Sequence, residues 1–256
     1  MTLPPVDPGW WRTLFDEVYL QTDARSVLDQ EVTRAEVDGL VQALALQPGD
    51  ALLDLCGGHG RHALELARRG YLPVTVLDYS HYLLALGRSQ ARAEGLQISF
   101  VRADARAVPL ASRVFSSVAL LANSFGYGAT RDDDQAVLGE AARLIRPGGK
   151  LYLETADPEF VRKQLVPQSW HETPDGLVVC RRRWVTSEFL ICRELVLSRE
   201  RGLVREATYR MRLYGPEELR RSLKQAGFAA VRFAFRGSGG AERGSLSRRL
   251  TVVAVR

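Results

Sequence analysis

The stretch from Ala51 to Arg61, ALLDLCGGHGR, most constrains what this chain can fold into. It begins with a short apolar run, as a buried parallel strand requires, and Asp54 lies near the end of that run. A glycine-rich turn follows, and apolar residues then recur at helical spacing as far as Gly70. Strand, glycine turn and helix in this order bring a nucleotide-like ligand against bare backbone. The stretch therefore predicts an α/β domain with a ligand site at this turn.

Two kinds of ligand are compatible with the turn. The residues from Gly58 to Ala63 satisfy the dinucleotide fingerprint G-x-G-x-x-A. The residues from Asp54 to Gly60 also read D-x-C-x-G-x-G. This second pattern resembles the first motif of class I S-adenosylmethionine-dependent methyltransferases, with Cys56 where many members carry a glycine. A tight turn in any α/β protein is the third interpretation, so later parts of the chain must decide.

Further features follow in the order that this family shows. Asp78 ends the second β-rich run, where an acid can accept hydrogen bonds from two ribose hydroxyls. Asp104 follows the third run, where an acid of the family commonly accepts from the adenine amine. The segment 122–127 follows the fourth run, next to the place where ligands sit in doubly wound sheets. The residues 147–149, Pro-Gly-Gly, end a helix before the fifth run, which is another feature of the family.

The chain thus resembles class I methyltransferases of the small-molecule, glycine-N-methyltransferase-like type, over about residues 33–155 and again from Tyr214. The resemblance implies an α/β fold with a seven-stranded doubly wound sheet, mostly parallel with an antiparallel C-terminal strand. It implies transfer of a methyl group from S-adenosyl-L-methionine to N, O or C of a small molecule, with no metal. The cofactor-binding residues that it implies are Asp54, Cys56, Gly57, Gly58, Gly60, Asp78, Tyr79, Asp104, Ala105, Ala122 and Asn123.

No general base is evident in the sequence. His171, Tyr127 and Tyr214 are candidates by residue type and location only. We also expect Asp78→Ala to weaken cofactor binding with little effect on the fold, because a carboxylate at a strand tip has no evident structural partner. An RNA methyltransferase, an NADP-dependent oxidoreductase and a protein that binds the cofactor without turnover remain alternative functions.

The chain is expected to have two parts. Residues 1–156 and 214–256 form the predicted Rossmann-like domain, and residues 1–30 include a candidate lid. Residues 157–213 are not shared across the family, and β-rich runs from residue 177 onwards predict a small inserted antiparallel sheet. This inserted β cap leaves the main sheet after its fifth strand, on the side where the methyl group is presented. We therefore expect it to bind the methyl acceptor.

The charge of the inserted part favours an anionic acceptor. Between Val178 and Arg212 the sequence has nine arginines and four glutamates. Their excess of five positive charges equals the net charge of the whole chain, +5. Arginine suits carboxylate and phosphate groups, whereas RNA binding would add stacking aromatics along a groove. Replacing the arginines at 181–183 with Gln should therefore weaken acceptor binding and leave cofactor binding intact. The alternative is that these arginines form a solvent-exposed outer face of the sheet and say nothing about the acceptor.

Composition excludes several classes of protein. No apolar run of the 256 residues reaches the about 20 that a membrane span needs, and the N-terminus lacks the basic and apolar regions of a secretory signal. Cys56, Cys180 and Cys192 are too few and too scattered for a disulfide framework or a zinc site. We expect a cytoplasmic protein without membrane partners. The oligomeric state is left open.

Overall fold

Two β-sheets organise the structure, which is a computed structural model and describes residues 2–23, 28–237 and 246–256. Within these ranges the larger sheet has seven strands and the smaller sheet has four. The helices are α1 (Trp11–Leu14), α2 (Glu17–Thr22), α3 (Gln30–Leu44), α4 (Arg61–Arg68), α5 (His81–Ala93), α6 (Arg131–Leu144), α7 (Pro158–Lys163) and α8 (Pro216–Gln225). The strands are β1 (Leu52–Leu55), β2 (Val74–Asp78), β3 (Ile98–Arg102), β4 (Phe115–Leu120), β5 (Ile145–Ala156), β6 (Gln168–Glu172), β7 (Leu177–Val185), β8 (Phe189–Ser198), β9 (Gly202–Arg212), β10 (Ala230–Gly237) and β11 (Arg248–Val255).

The larger sheet has the strand order β10-β11-β5-β4-β1-β2-β3. Strand β11 is antiparallel to both of its neighbours, and the pairs from β5 through β3 are parallel. The predicted fold, a mostly parallel doubly wound sheet with an antiparallel C-terminal strand, is confirmed. The direction of strand order reverses between β1 and β4, so their carboxyl ends open a crevice at the centre of the sheet.

Helices cover both faces of the larger sheet, which explains why its central strands read as continuous apolar runs. On one face, Leu53 of β1 packs in a cluster with Leu138 of α6 and Leu219 of α8. On the other face, Leu52 packs in a cluster with Leu40 of α3. These side chains are at most 1% exposed, and burying each leucine contributes on the order of 2–3 kcal/mol. This burial fixes the strand ends that form the crevice.

The smaller sheet is antiparallel with the order β6-β7-β8-β9, and it is inserted after β5 as predicted. The three predicted runs became β7, β8 and β9, but strand β6 was missed. Its only large apolar residue, Trp170, is 73% exposed, so the segment carries no alternating hydrophobic pattern. The segment predicted as a candidate lid contains two short helices, α1 and α2. They are separate because the Asp16 side chain accepts a hydrogen bond from Tyr19 N and begins a new helix.

A buried ionic cluster joins the inserted sheet to the N-terminal helices. Glu194 is 1% exposed, and its carboxylate oxygens lie 2.6 Å from Arg181 Nε and 2.7 Å from Arg205 Nη2. Arg181 also pairs with Asp23 at 3.0 Å, and Arg205 with Asp16 at 2.8 Å. Burial acts to raise the pKa of Glu194, but the two guanidinium groups hold it below its ordinary value. The arginine-rich insertion is therefore partly neutralised from within, which the prediction for residues 181–183 did not foresee.

Replacement of Glu194 with Ala should destabilise the fold by about 3–5 kcal/mol, because two buried guanidinium groups lose their shared counter-charge. The matched control is Glu206→Ala, which removes an exposed pair with Arg193 and should cost less than about 1 kcal/mol. Urea unfolding of the two variants measures the difference. Equal losses of stability would show that the cluster has no structural role.

Candidate active site

Two adjoining cavities lie over the carboxyl ends of the central strands. The first cavity, about 1160 Å³ and open on one side, is lined by the glycine turn after β1 and the segments that follow β2, β3 and β4. The second cavity, about 1020 Å³, lies between the N-terminal helices, the turn after β4 and one face of the inserted sheet. Their walls share Phe15, Tyr19, Arg61, Ala122 and Tyr127. The two cavities therefore meet beside the point where strand order reverses.

An acid without a protein partner faces the glycine turn. Asp54 is 1% exposed, and neither of its carboxylate oxygens has a hydrogen-bond partner among the described residues. Burial raises the pKa of Asp54 to about 6, although Arg61 and His62 act in the opposite direction. A side chain at Gly57 would meet this carboxylate at 2.6 Å, so only glycine lets the turn pass so close. An orphaned buried carboxylate on a cavity wall suits a cationic ligand group.

Asp78 connects this turn to the end of β2. Its Oδ2 accepts a hydrogen bond from Gly58 N, and its Oδ1 accepts one from Ser80 N, both at 2.8 Å. The expectation that Asp78 has no structural partner was therefore wrong. Burial raises its pKa, and the backbone hydrogen bonds offset part of that effect. Each oxygen keeps a further lone pair, so the carboxylate can still accept from ligand hydroxyls at the first cavity.

The third acid, Asp104, has an arginine partner that the sequence did not reveal. Arg106 Nη2 lies 2.6 Å from Asp104 Oδ2, and this hydrogen bond lowers the pKa of Asp104. The guanidinium of Arg106 also lies 5.3 Å from the ring centroid of Trp11, whose ring meets Tyr79 edge-on at 4.9 Å. Ala105 lies on the same wall of the first cavity. The contacts of Trp11 join segments far apart in the chain, so no local pattern predicts them.

The turn after β4 has an unusual backbone. Ala122 and Asn123 have φ values of 53° and 61°, a left-handed conformation that residues with a Cβ rarely adopt. Such strain concentrates at functional sites. The Oδ1 atom of Asn123 is buried and has no hydrogen-bond partner among the described residues. Ala122 lines both cavities, whereas Asn123, predicted as a cofactor residue, lines the second.

Of the three candidate bases, only Tyr127 lies where the cavities meet. Its ring stacks on Phe15 with centroids 6.0 Å apart and meets Trp10 edge-on at 4.8 Å. Burial raises the pKa of Tyr127 well above its ordinary value, and burial acts in the same way on Tyr19. Both hydroxyls therefore keep their protons at neutral pH and serve as hydrogen-bond donors rather than as bases.

The other two candidate bases lie outside the cavity walls. His171 Nε2 is 3.2 Å from the carbonyl oxygen of Thr22, so His171 contacts the end of α2. The hydroxyl of Tyr214 donates to Asp134 Oδ2 at 2.8 Å within the core. Gly60, predicted to approach the cofactor, starts α4 instead, with φ at 75° and its Cα packed against β2 and β3. The structure thus brings the other predicted site residues to the two cavities, but not His171, Tyr214 or Gly60.

The sequence matches known methyltransferases at this part of the chain. Residues 52–149 match a family model described as "Methyltransferase domain". This part of the chain is therefore similar to methyltransferase domains. The matched residues include the glycine turn and the acids that end β1 and β2. None of the helices in the described residues has the length and apolar character that a bilayer span requires.

Relatives with established names are similar over part of their length. The ubiquinone/menaquinone biosynthesis C-methyltransferase UbiE of Roseobacter denitrificans is 36% identical over 129 residues, which cover 49% of this chain and 50% of that protein. The corresponding protein of Acidiphilium cryptum is 33% identical over 165 residues, 62% of this chain and 64% of that protein. The chain thus spans about half to two thirds of the curated relatives that it matches.

Solved structures share the fold over almost the whole chain. An S-adenosylmethionine-dependent methyltransferase from Clostridium acetobutylicum superposes with a TM-score of 0.72 and 14% identity, covering 93% of this chain and 96% of that chain. An amino pentose methyltransferase from Micromonospora echinaspora, solved with S-adenosylmethionine bound, gives a TM-score of 0.68 and 20% identity, covering 95% and 99%. These structures share the predicted fold, and the match over residues 52–149 agrees with the predicted methyltransferase family.

Asp54→Asn should stabilise the cofactor-free protein at neutral pH. The pKa of Asp54 is raised from 3.8 to about 6 in the folded protein. The unfolded chain therefore releases this proton more easily, and the free energy of unfolding falls as pH rises from about 4 to about 6. A neutral amide avoids that loss, which amounts to at most about 3 kcal/mol. The gain in melting temperature should therefore be larger at about pH 8 than at about pH 4. Asp132→Asn, an exposed control, should show no such trend, and a pH-independent gain for Asp54→Asn would contradict the prediction.

Asp78→Ala should weaken both the fold and cofactor binding. The change leaves the N–H groups of Gly58 and Ser80 without their acceptor, at a cost of about 1–3 kcal/mol of unfolding free energy. It also removes an acceptor for ligand hydroxyls. Urea unfolding and calorimetric titration with S-adenosylhomocysteine measure the two effects separately. Full stability with reduced affinity would instead restore the expectation from the sequence.

Proposed function

We propose that this protein is an S-adenosylmethionine-dependent methyltransferase, which methylates N, O or C of a small molecule held in the second cavity. The observation that carries the proposal is that the two cavities adjoin and share wall residues. The first is bordered by acids that follow three successive strands, and it adjoins the second at Tyr127. A donor in the first cavity and an acceptor in the second would meet there.

The residues on the wall of the first cavity fit the three parts of the cofactor. The orphaned carboxylate of Asp54 suits the methionine ammonium group, and Asp78 suits the ribose hydroxyls. Asp104 and Ala105 lie at the end of β3 and would hold the adenine, with Tyr79 beside the ring. When bound, S-adenosylmethionine supplies an activated methyl group, so the protein itself has to bind, orient and exclude water.

The N-terminal segment and the inserted sheet would provide the enclosure. The Oγ atom of Ser80 donates to the carbonyl oxygen of Phe15 at 2.6 Å, which fixes the N-terminal segment over the end of β2. Trp11 covers the adenine side of the first cavity, and Tyr19 covers the junction. We infer that residues 1–30 serve as a lid and that residues 157–213 form the acceptor-binding cap of a domain made of residues 1–156 and 214–256.

The junction offers groups that orient an acceptor but no evident base. The hydroxyls of Tyr19 and Tyr127 stay protonated and can donate to the lone pair of a nucleophile. Asn123 Oδ1 can accept from an N–H or O–H group of the acceptor. Orientation of this kind can supply much of the rate enhancement of a displacement reaction. We therefore expect the nucleophile to release its proton to water or to arrive without it.

A small acceptor agrees with the size of the second cavity and with the relatives. The names of the curated relatives refer to quinone biosynthesis, and one structural neighbour is named for an amino pentose. Several arginines on the wall of the second cavity favour an acceptor that is also anionic. RNA is the less favoured alternative, and steep weakening of acceptor binding by salt would support it.

The proposal predicts that S-adenosylmethionine and S-adenosylhomocysteine stabilise the protein, whereas NAD and NADP do not. A ligand at about 100 times its dissociation constant should add about 2.7 kcal/mol to the free energy of unfolding. Thermal unfolding with each compound measures this effect. Stabilisation by a nicotinamide cofactor, with none by S-adenosylmethionine, would overturn the proposed function in favour of an oxidoreductase.

A further inference from the structure

One face of the inserted sheet forms a wall of the second cavity. Arg183 of β7 pairs in register with Cys192 of β8, and Cys192 pairs with Tyr209 of β9. Directly opposed residues of neighbouring strands point to the same side of a sheet. All three residues line the second cavity, so this row faces the place proposed for the acceptor. Arg193, by contrast, pairs with Arg182 and lies on the opposite face.

The arginines on this wall differ in what neutralises them. Arg181 and Arg205 share the carboxylate of Glu194, and each has a second acid from the N-terminal segment. Arg61, which also lines the cavity, pairs with Glu36. The positive charge of these residues is therefore balanced inside the protein, and they hold the walls in place.

Arg183 has only neutral partners among the described residues. Its Nη1 donates to Ser169 Oγ at 2.9 Å and lies 3.4 Å from the carbonyl oxygen of Val166. No described carboxylate lies within ion-pair distance of it, and its Nε and Nη2 atoms make no hydrogen bond to the described residues. Those two atoms form the edge of a guanidinium group that pairs bidentately with carboxylate or phosphate. The hydrogen bonds of Nη1 hold the group and leave that edge available.

Arg210 also borders the second cavity, but it lies on the other face of the sheet. It pairs in register with Ile191, the neighbour of Cys192, and its guanidinium carbon lies 4.3 Å from the ring centroid of Phe189 on that face. The lack of a described counter-charge therefore concerns the second cavity at Arg183. A half-buried cation without a counter-charge is costly, and an anionic ligand would remove that cost.

We infer that Arg183 forms an anion subsite that binds a carboxylate or phosphate group of the methyl acceptor. The inference rests on the proposed function and adds the residue that selects the acceptor. The wall around the subsite includes the apolar side chains of Trp10, Leu190 and Met211. The expected acceptor therefore has an apolar body, an anionic group at Arg183 and its nucleophile at the junction with the first cavity.

The test uses small probes on the full chain saturated with S-adenosylhomocysteine. Benzoate and phenyl phosphate represent the two anionic groups, and benzamide is the neutral counterpart of benzoate. Calorimetric titration should show that at least one anionic probe binds more tightly than benzamide. Arg183→Gln should weaken that binding about 10- to 100-fold and leave benzamide unaffected. The preferred anionic probe distinguishes a carboxylate from a phosphate.

Matched variants separate recognition from folding. Arg193→Gln removes an arginine from the opposite face and should leave every probe unchanged. Arg183→Lys keeps the charge without the bidentate edge and should give an intermediate affinity, and it replaces Arg183→Gln if that variant does not fold. Equal binding of the anionic probes to wild type and to a folded Arg183 variant would overturn the subsite. So would equal binding of benzamide and both anions to wild type. A wild-type protein that fails to bind S-adenosylhomocysteine would instead refute the proposed function itself.

Discussion

The reversal of strand order between β1 and β4 is the constraint on which the candidate site depends. Helices α3 and α4 cover one face of the sheet, and α6 and α8 cover the other, so these four helices leave the carboxyl ends at the reversal uncovered. The polar ends of the central strands are therefore exposed to a crevice although the strands themselves are buried. The orphaned carboxylate of Asp54 and the left-handed backbone of Ala122 are both tolerated there because the surrounding core fixes their positions.

A buried ionic cluster forms part of the wall of the second cavity. Glu194 neutralises two arginines that also contact acids of the N-terminal segment. Exchanging such a buried cluster for apolar residues is often neutral or stabilising in other proteins, so stability alone gives a weak reason to keep it. The cluster does, however, determine which arginines stay available to a ligand. The arginines of the insertion thus fall into two groups: Arg181 and Arg205 form ion pairs, whereas Arg183 has neutral hydrogen-bond partners among the described residues.

Much of the first cavity could be predicted, because each of the three acids on its wall lies at or just after the end of an apolar run in the sequence. Asp54, Asp78 and Asp104 were found in this way, and the parallel sheet brings them to one edge. The surroundings of these acids could not be predicted, because Gly58 meets Asp78, and Trp11 meets Arg106, only once distant segments are folded together. The inserted sheet showed the same limit. Alternation revealed three of its strands, whereas the partners of Arg181 and Arg205 come from the neighbouring strand and from the N-terminal segment.

The two cavities do not have independent walls. Phe15 and Tyr19 belong to both, and they are carried by one short segment that is tied to β2 through Ser80 and to the inserted sheet through Asp16. A compound that shifts this segment in one cavity therefore changes the shape of the other. Thermodynamic linkage then requires that donor and acceptor alter each other's affinity by the same factor. Cooperative binding of two substrates would follow from the sharing of two side chains, without any movement of the main sheet.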